Sequence, residues 1–278
     1  MKIRNIKRIV TGKRAVDGAG VRLVRVVGHE DVVGFDPFLM LDAFDSRNPE
    51  DYIKGFPWHP HRGIETITYL IKGNMEHSDS MGNKGMILDG SCQWMTAGSG
   101  VMHQEMPKAT ERMLGAQLWL NMPKENKMAP PNYCDIKAEM VPVIEEDGTR
   151  VRVVAGDYKG KTSSVYGDYV KMLYLDVDMK AGAEWTLKTK EDETLFVYII
   201  KGEGYFGEND SITESRRAVL FDSGDEFKIK AGDNGIRFFL YSAKPLKEPV
   251  AWGGPIVMNT REELRQAFEE LEKGTFIK

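Results

Sequence analysis

Short runs in which apolar and polar residues alternate, bounded by Gly, Pro, Asn or Asp, recur along almost the whole chain. Side chains of an extended backbone point to opposite faces in turn, so such runs predict strands. They fall at residues 21–27, 65–71, 93–97, 116–121, 151–155, 172–178, 195–201, 218–222 and 235–242. The stretch 65–71 is dense in β-branched and aromatic residues, which suit a pleated surface. Many short strands at this spacing predict an all-β fold of antiparallel sandwich or barrel type rather than βαβ units. One helix is expected, at about 260–273. Thr260 can cap it and Glu263 can close a capping box. Leu264, Ala267, Phe268 and Leu271 form one apolar stripe, and Gly274 can end it, so the helix is expected to cover a sheet.

The pattern repeats internally. Thr68-Tyr-Leu-Ile-Lys-Gly73 matches Val197-Tyr-Ile-Ile-Lys-Gly202. Thr96-Ala-Gly98 with Gly100-Val101 matches Lys230-Ala-Gly232 with Gly235-Ile236. Two copies of one β-barrel domain are the simplest reading. The join is expected between Met122 and Pro142, a stretch with four prolines, giving domains at 1–130 and 131–278.

The 278 residues suffice for two such domains. A hydrophobic fraction of 41% and a charged fraction of 29% are those of an ordinary globular protein. A net charge of -4 supplies no general attraction to nucleic acid or anionic lipid. No apolar run approaches the ~20 residues that span a bilayer. The first residues lack the apolar core of a secretory signal, and a cytoplasmic monomer is expected. The first sixteen residues carry Lys2, Arg4, Lys7, Arg8, Lys13 and Arg14 without an acid, yet Ile3, Ile6 and Ile9-Val10 read as ordered structure rather than a basic arm. Cys92 and Cys134 are the only thiols and are expected to be reduced.

Chemistry concentrates in two short stretches. His59-Pro60-His61 and His103-Gln104-Glu105 hold three of the five histidines and a carboxylate. Each pair is spaced i, i+2, which places both side chains on one face of a strand. Two such strands facing one another would present three imidazoles and a carboxylate. Those donors suit iron(II), manganese, nickel or zinc better than calcium or magnesium. Pro60 biases His59 toward extended angles, and Gly98-Ser99-Gly100 permits a tight turn before His103. Measured back from Gly202, the second copy has Lys188 and Lys190 at the positions of His59 and His61. His103 falls there on Arg237 or Phe238, so only the first copy can bind metal in this way. Four ligands leave open positions on an octahedral ion, and a site charge near +1 favours an anionic bidentate oxygen donor such as a flavonolate, catecholate or enediolate.

The other candidates are ordinary. His77 and His29 are expected to be exposed in polar turns, His77 with a lesser alternative of lining a substrate channel. Trp58, Trp94 and Trp119 are read as packing residues, one of which can line a cavity mouth. The methionines around the second motif are read as core filler. Cys92 has no neighbouring cation to activate its thiol.

The runs Phe56-Pro-Trp-His-Pro-His-Arg-Gly-Ile-Glu-Thr66, Gln93-Trp-Met-Thr-Ala-Gly-Ser-Gly-Val-Met-His-Gln-Glu-Met-Pro107 and Gln117-Leu-Trp-Leu-Asn121 resemble the pirin family of the cupin superfamily. Asp36-Pro-Phe-Leu39 and Gly254-Pro-Ile-Val-Met-Asn-Thr-Arg-Glu-Glu263 extend the resemblance over nearly all of residues 15–275. It implies a bicupin, two stacked β-barrels with a short carboxyl-terminal helix, and one divalent ion in the first barrel. That ion is implied to be iron(II), with zinc, manganese, nickel, cobalt or copper as alternatives. The matching ligands are His59, His61, His103 and Glu105. The resemblance further implies cleavage of quercetin, or a similar enolic or catecholic substrate, by dioxygen, with Glu105 as proton acceptor. The alternative it implies is an iron- and redox-dependent regulatory partner of transcription factors or metabolic enzymes, with little turnover. Many cupins take a glutamate ligand soon after the His-x-His pair. Glu65 holds that place here and is read as a supporting group or alternate ligand, or as a partner of Arg62 or another cation.

Overall fold

The computed structural model describes all 278 residues. Every run read as a strand is one to within a residue, sometimes as part of a longer strand: 235–242 lies inside Glu226–Ala243. The architecture is all-β, with one helix of length at Arg261–Glu272. No helix is long and apolar enough to cross a membrane.

The chain forms two compact units, and neither is one continuous stretch. One comprises Met1–Lys13, Val26–Pro37 and Glu139–Pro245; the other comprises Arg14–Arg25, Phe38–Ala138 and Leu246–Lys278. The contiguous halves 1–130 and 131–278 therefore differ from the units by exchanged ends. The reason lies in pairing and burial. Strand Ile6–Thr11 completes the edge of Arg217–Phe221, with Ile9 opposite Val219. At the other end, Leu264, Ala267 and Leu271 of the helix pack with Ile256, Met258 and Phe276 in an apolar cluster.

The first unit is a nine-stranded antiparallel sheet running Ile6–Thr11, Arg217–Phe221, Thr194–Phe206, Glu226–Ala243, Met172–Met179, Thr149–Ala155, Val143–Glu146, with two short strands attached. Its interior is filled with apolar side chains, among them Trp185, Phe206, Phe221, Phe227 and Phe238. Phe238, one of the two counterparts of His103, is fully buried there, while Arg237 is tied to Asp176 by bonds of 2.8 and 2.6 Å. Lys188 and Lys190 are exposed. This interior is closed to a metal because hydrocarbon occupies it.

The second unit has a seven-stranded sheet, in the order Asn132–Ile136, Cys92–Thr96, Ile64–Lys72, Met113–Asn121, Phe38–Ser46, Val21–Val27, Lys13–Asp17. It also has a four-stranded sheet in the order Phe56–His61, Val101–Pro107, Met75–Asp79, Lys84–Ile87. The helix has the expected capping box, with Glu263 N donating to Thr260 Oγ1 at 3.1 Å and Thr260 N to Glu263 Oε2 at 2.9 Å. It packs on the short hairpin Ala251–Gly253 and Ile256–Met258, and Phe268 at the stripe's edge is 36% exposed.

Truncating Phe238 should leave a cavity in the first unit. Phe238→Ala is expected to cost about 3–5 kcal/mol. Urea unfolding followed by the fluorescence of Trp185, whose ring lies 6.1 Å from that of Phe238, checks this. A loss below about 1 kcal/mol would contradict a close-packed interior.

Candidate metal centre

The His59 strand, Phe56–His61, and the His103 strand, Val101–Pro107, are hydrogen-bonded neighbours in the four-stranded sheet. They lie side by side rather than facing one another across a gap. His59 is opposite His103, and cross-strand partners share a face. His61, two residues along, joins them. The turn before His103 uses left-handed backbone at Gly98, φ +49°, and a Cβ there would stand 2.1 Å from the Ala129 carbonyl oxygen. The register then slips by one residue, so that Glu105 lies opposite Phe56. Such a bulge re-aims side chains.

The three imidazoles converge, with one ring nitrogen of each within 4.8 Å of the others. Ring centroids are 4.3 Å apart for His59 and His103, 4.8 Å for His59 and His61, and 5.0 Å for His61 and His103. His61 and His103 are 2% and 1% exposed, and His59 is half-buried at the rim.

The hydrogen bonds fix two tautomers. His59 Nδ1 lies 2.8 Å from the carbonyl oxygen of Pro57, and His61 Nδ1 lies 3.0 Å from that of Pro255. A carbonyl only accepts, so each Nδ1 carries the proton and each Nε2 a lone pair. Those two Nε2 atoms face each other at 3.1 Å. Burial opposes protonation of the two inner rings, His61 and His103. Burial and the neighbouring His59 hold His61 down to about 3, and burial with the other imidazoles takes His103 well below its ordinary value. Both ring nitrogens of buried His103 lack a hydrogen-bond partner. Convergent imidazoles, two of them held neutral by burial and one without any partner, fit a divalent cation, which would satisfy all three rings at once.

Glu105 stands apart from this group of three. It is on the face of His103, as the alternating burial of its strand requires, and is 1% exposed. Gln117 Nε2 donates to its two oxygens at 2.8 and 2.9 Å, and Thr68 Oγ1 donates at 3.2 Å. Burial raises its pKa against these donors, which act to lower it. Trp119 Nε1 donates to Gln117 Oε1 at 3.3 Å, and the Trp119 ring meets His61 edge-on at 5.0 Å.

Glu65 does not pair with Arg62. Its Oε1 accepts from Trp94 Nε1 at 3.1 Å and Thr96 Oγ1 at 2.7 Å. Arg62 turns instead to Glu270, 2.8 Å away. The chain turns at Gly63 between the two residues, which puts Glu65 in the seven-stranded sheet.

His77 is buried, contrary to its expected exposure, because Met75–Asp79 is an interior strand paired on both edges. It lies opposite Glu105 in the ladder, its Nε2 bonds to the Tyr133 hydroxyl, and Asp135 is 3.6 Å away. Burial lowers its pKa. A cavity of about 440 Å³ is lined by His77, Gly85, Gln104 and Met106 among others, and by none of the three converging imidazoles. His29 is exposed as expected. Trp94 and Trp119 are buried, whereas Trp58 is 51% exposed beside His59 and so does not pack as expected. Burial pushes the Cys92 thiol up, which leaves it inert.

Two further residues escaped the sequence. Buried Lys127 donates to the Gly63 carbonyl at 2.8 Å and to Asn121 Oδ1 at 2.7 Å, and burial lowers its pKa to about 7. Pro255 acts through a backbone carbonyl, 194 positions from His61, for which no residue-type signal exists.

A family model described as Pirin matches residues 20–120, and one described as Pirin C-terminal cupin domain matches residues 174–277. A Pseudomonas aeruginosa protein that carries quercetin 2,3-dioxygenase as a provisional name is 41% identical over 281 residues, covering 98% of each chain. Pirin of Homo sapiens is 38% identical over 262 residues, 93% of this chain and 89% of its own. The crystal structure of quercetin 2,3-dioxygenase from Acinetobacter baumannii matches with a TM-score of 0.89 at 30% identity, covering 99% of this chain and 98% of that one. By sequence over its whole length and by fold, this chain belongs to the pirin family of two-domain cupins.

Proposed function

We propose that the chain is a metal-dependent dioxygenase of the quercetin 2,3-dioxygenase type, acting on a flavonol or a similar enolic or catecholic substrate. One divalent ion, iron(II) foremost, would be held by His59, His61 and His103, with Glu105 as the fourth ligand. The observation that carries this reading is the pair of lone-pair-bearing Nε2 atoms opposed at 3.1 Å, beside the unpartnered ring of His103. The names of the Pseudomonas and Acinetobacter relatives support the substrate class.

When bound, the ion supplies Lewis acidity that lowers the pKa of a substrate hydroxyl, and a redox partner for dioxygen. The chain's own part is positional and protonic. Half-buried His59 marks the open side, where a planar substrate can approach. Exposed Trp58 offers an aromatic face there. Glu105, buried on the face of His103, would take the substrate's hydroxyl proton. Gln117 and Thr68 hold its carboxylate in place for that transfer.

Metal content after loading with iron(II) under anaerobic conditions should approach one ion per chain and fall to background in His103→Ala. Elemental analysis measures it; full retention would sink the ligand assignment. With iron saturating, Glu105→Gln should lower quercetin-dependent oxygen uptake about 10²–10⁴-fold. Uptake unchanged in that variant removes the proton-acceptor role, and no uptake by the native protein leaves a binding role in place of catalysis.

Acid should also destabilise the metal-free protein. The folded-state values of His61 and His103 lie below the unfolded value near 6.5. Between pH 6.5 and about 3 the unfolded chain therefore binds more protons, and stability falls with falling pH. Each histidine contributes a slope of up to about 1.4 kcal/mol per pH unit. Urea unfolding at pH 7, 6 and 5 should give a flatter profile for His61→Phe than for the native chain.

A further inference from the structure

The segment that follows the two barrels ends on the metal centre. Pro255 gives its carbonyl to His61 Nδ1 at 3.0 Å. Next to that contact, Val257 N donates to the Arg62 carbonyl at 3.1 Å, and Ile256 bridges Arg62. The approach is too close for a side chain on Gly63, where a Cβ would lie 2.0 Å from the Val257 carbonyl oxygen. Arg62 is the fastener. It is buried, and its guanidinium reaches four places at once. Nε donates to the Ser99 carbonyl at 2.7 Å, and Nη2 to that of Phe276 at 2.8 Å. Nη1 pairs with Glu270 Oε2 at 2.8 Å, and the group lies 4.1 Å over the Phe276 ring. Ser99 belongs to the turn that delivers His103, so one guanidinium joins both ligand strands to the carboxyl-terminal segment.

We propose that the carboxyl-terminal segment from Pro255 to Phe276 is a positioning element of the metal centre, latched by the Arg62–Glu270 ion pair. The proposal rests on the metal-site reading above. The Pro255 carbonyl commits the His61 proton to Nδ1 and so presents Nε2 to the ion. The partner of a ligating histidine's other nitrogen fixes its tautomer and ring orientation, and losing such a partner costs about 10–100-fold in metal affinity. Arg62 and Glu270 act one step further out, by holding Pro255 in place. Coupling of this kind is reciprocal: an ion that favours the docked segment must also tighten its docking.

The test uses the full-length protein and zinc(II) titrated against a chromophoric chelator, with cobalt(II) absorption reporting ligand geometry. Glu270→Gln removes the charge and keeps the shape; Arg62→Lys keeps the charge and loses the fork. Both should weaken zinc binding about tenfold and alter the cobalt bands. Lys278→Gln removes the second cationic partner of Glu270, 2.9 Å away, and should leave both readouts unchanged. Amide exchange in residues 261–272 should slow when zinc is added to the native protein. His103→Ala separates the two readings. If it abolishes binding while Glu270→Gln and Arg62→Lys stay within twofold of native with native cobalt spectra, the latch is overturned and the metal site stands. If His103→Ala binds zinc as the native protein does, the metal site itself fails. A variant that melts earlier but keeps native affinity and cobalt bands counts as merely structural and overturns the proposal.

Discussion

Two imidazole nitrogens held face to face at 3.1 Å, where the half-buried rim meets the interior, form the constraint on which the rest of this site depends. Water would relieve it by hydration or by a proton, and burial works against both at His61. The arrangement persists because each ring is gripped at its far side, His59 by the Pro57 carbonyl and His61 by that of Pro255. The backbone thereby places a proton on each Nδ1 and leaves the Nε2 atoms facing one another, an arrangement that the proposed cation would relieve. A cost of burying unpaired polar groups, about 1–3 kcal/mol each, is the reason such a cluster does not survive as packing alone.

The two copies of the repeat solve the problem of a barrel interior in opposite ways. In one unit, Trp185 and the phenylalanines fill it, and Phe238 stands at one of the two positions matched with His103. In the other unit the corresponding space holds imidazoles and a carboxylate. Interiors are close-packed, so neither solution tolerates partial conversion. Placing a single histidine among the phenylalanines of the first unit would bury an unpartnered ring and would still lack the two ligands replaced by exposed Lys188 and Lys190.

Much of this was legible in the sequence because period-two spacing is a local property. The strands, the i, i+2 histidine pairs, the glycine turn at Gly98 and the capping box of Thr260 and Glu263 all follow from neighbours within a few residues. What escaped was long-range. Nothing near His77 announces that Tyr133 and Asp135 will come to bury it. Arg62 beside Glu65 looks like a local ion pair, and only the carboxyl-terminal helix, with Glu270, reveals the true partner. The compact units differ from the contiguous halves for the same reason. The repeat marks each barrel's centre, whereas the ends of the chain are assigned by which edge strand and which apolar stripe they complete.

Glu65 and Glu105 show how environment separates two buried carboxylates. Glu65 accepts from Trp94 and Thr96, donors on one neighbouring strand, a holding arrangement. Glu105 accepts from Gln117, whose amide has no freedom to turn. Its Oε1 is taken by Trp119, so its Nε2 must face Glu105. Trp119 in turn lies edge-on against His61. The proposed base and a proposed ligand are thus joined through one amide and one indole, and a shift of the His61 ring would be felt at Glu105. Glu65 is tied to its own strand neighbours. The physical case for Glu105 as the proton acceptor is therefore its connection to His61 as much as its place in the His103 strand.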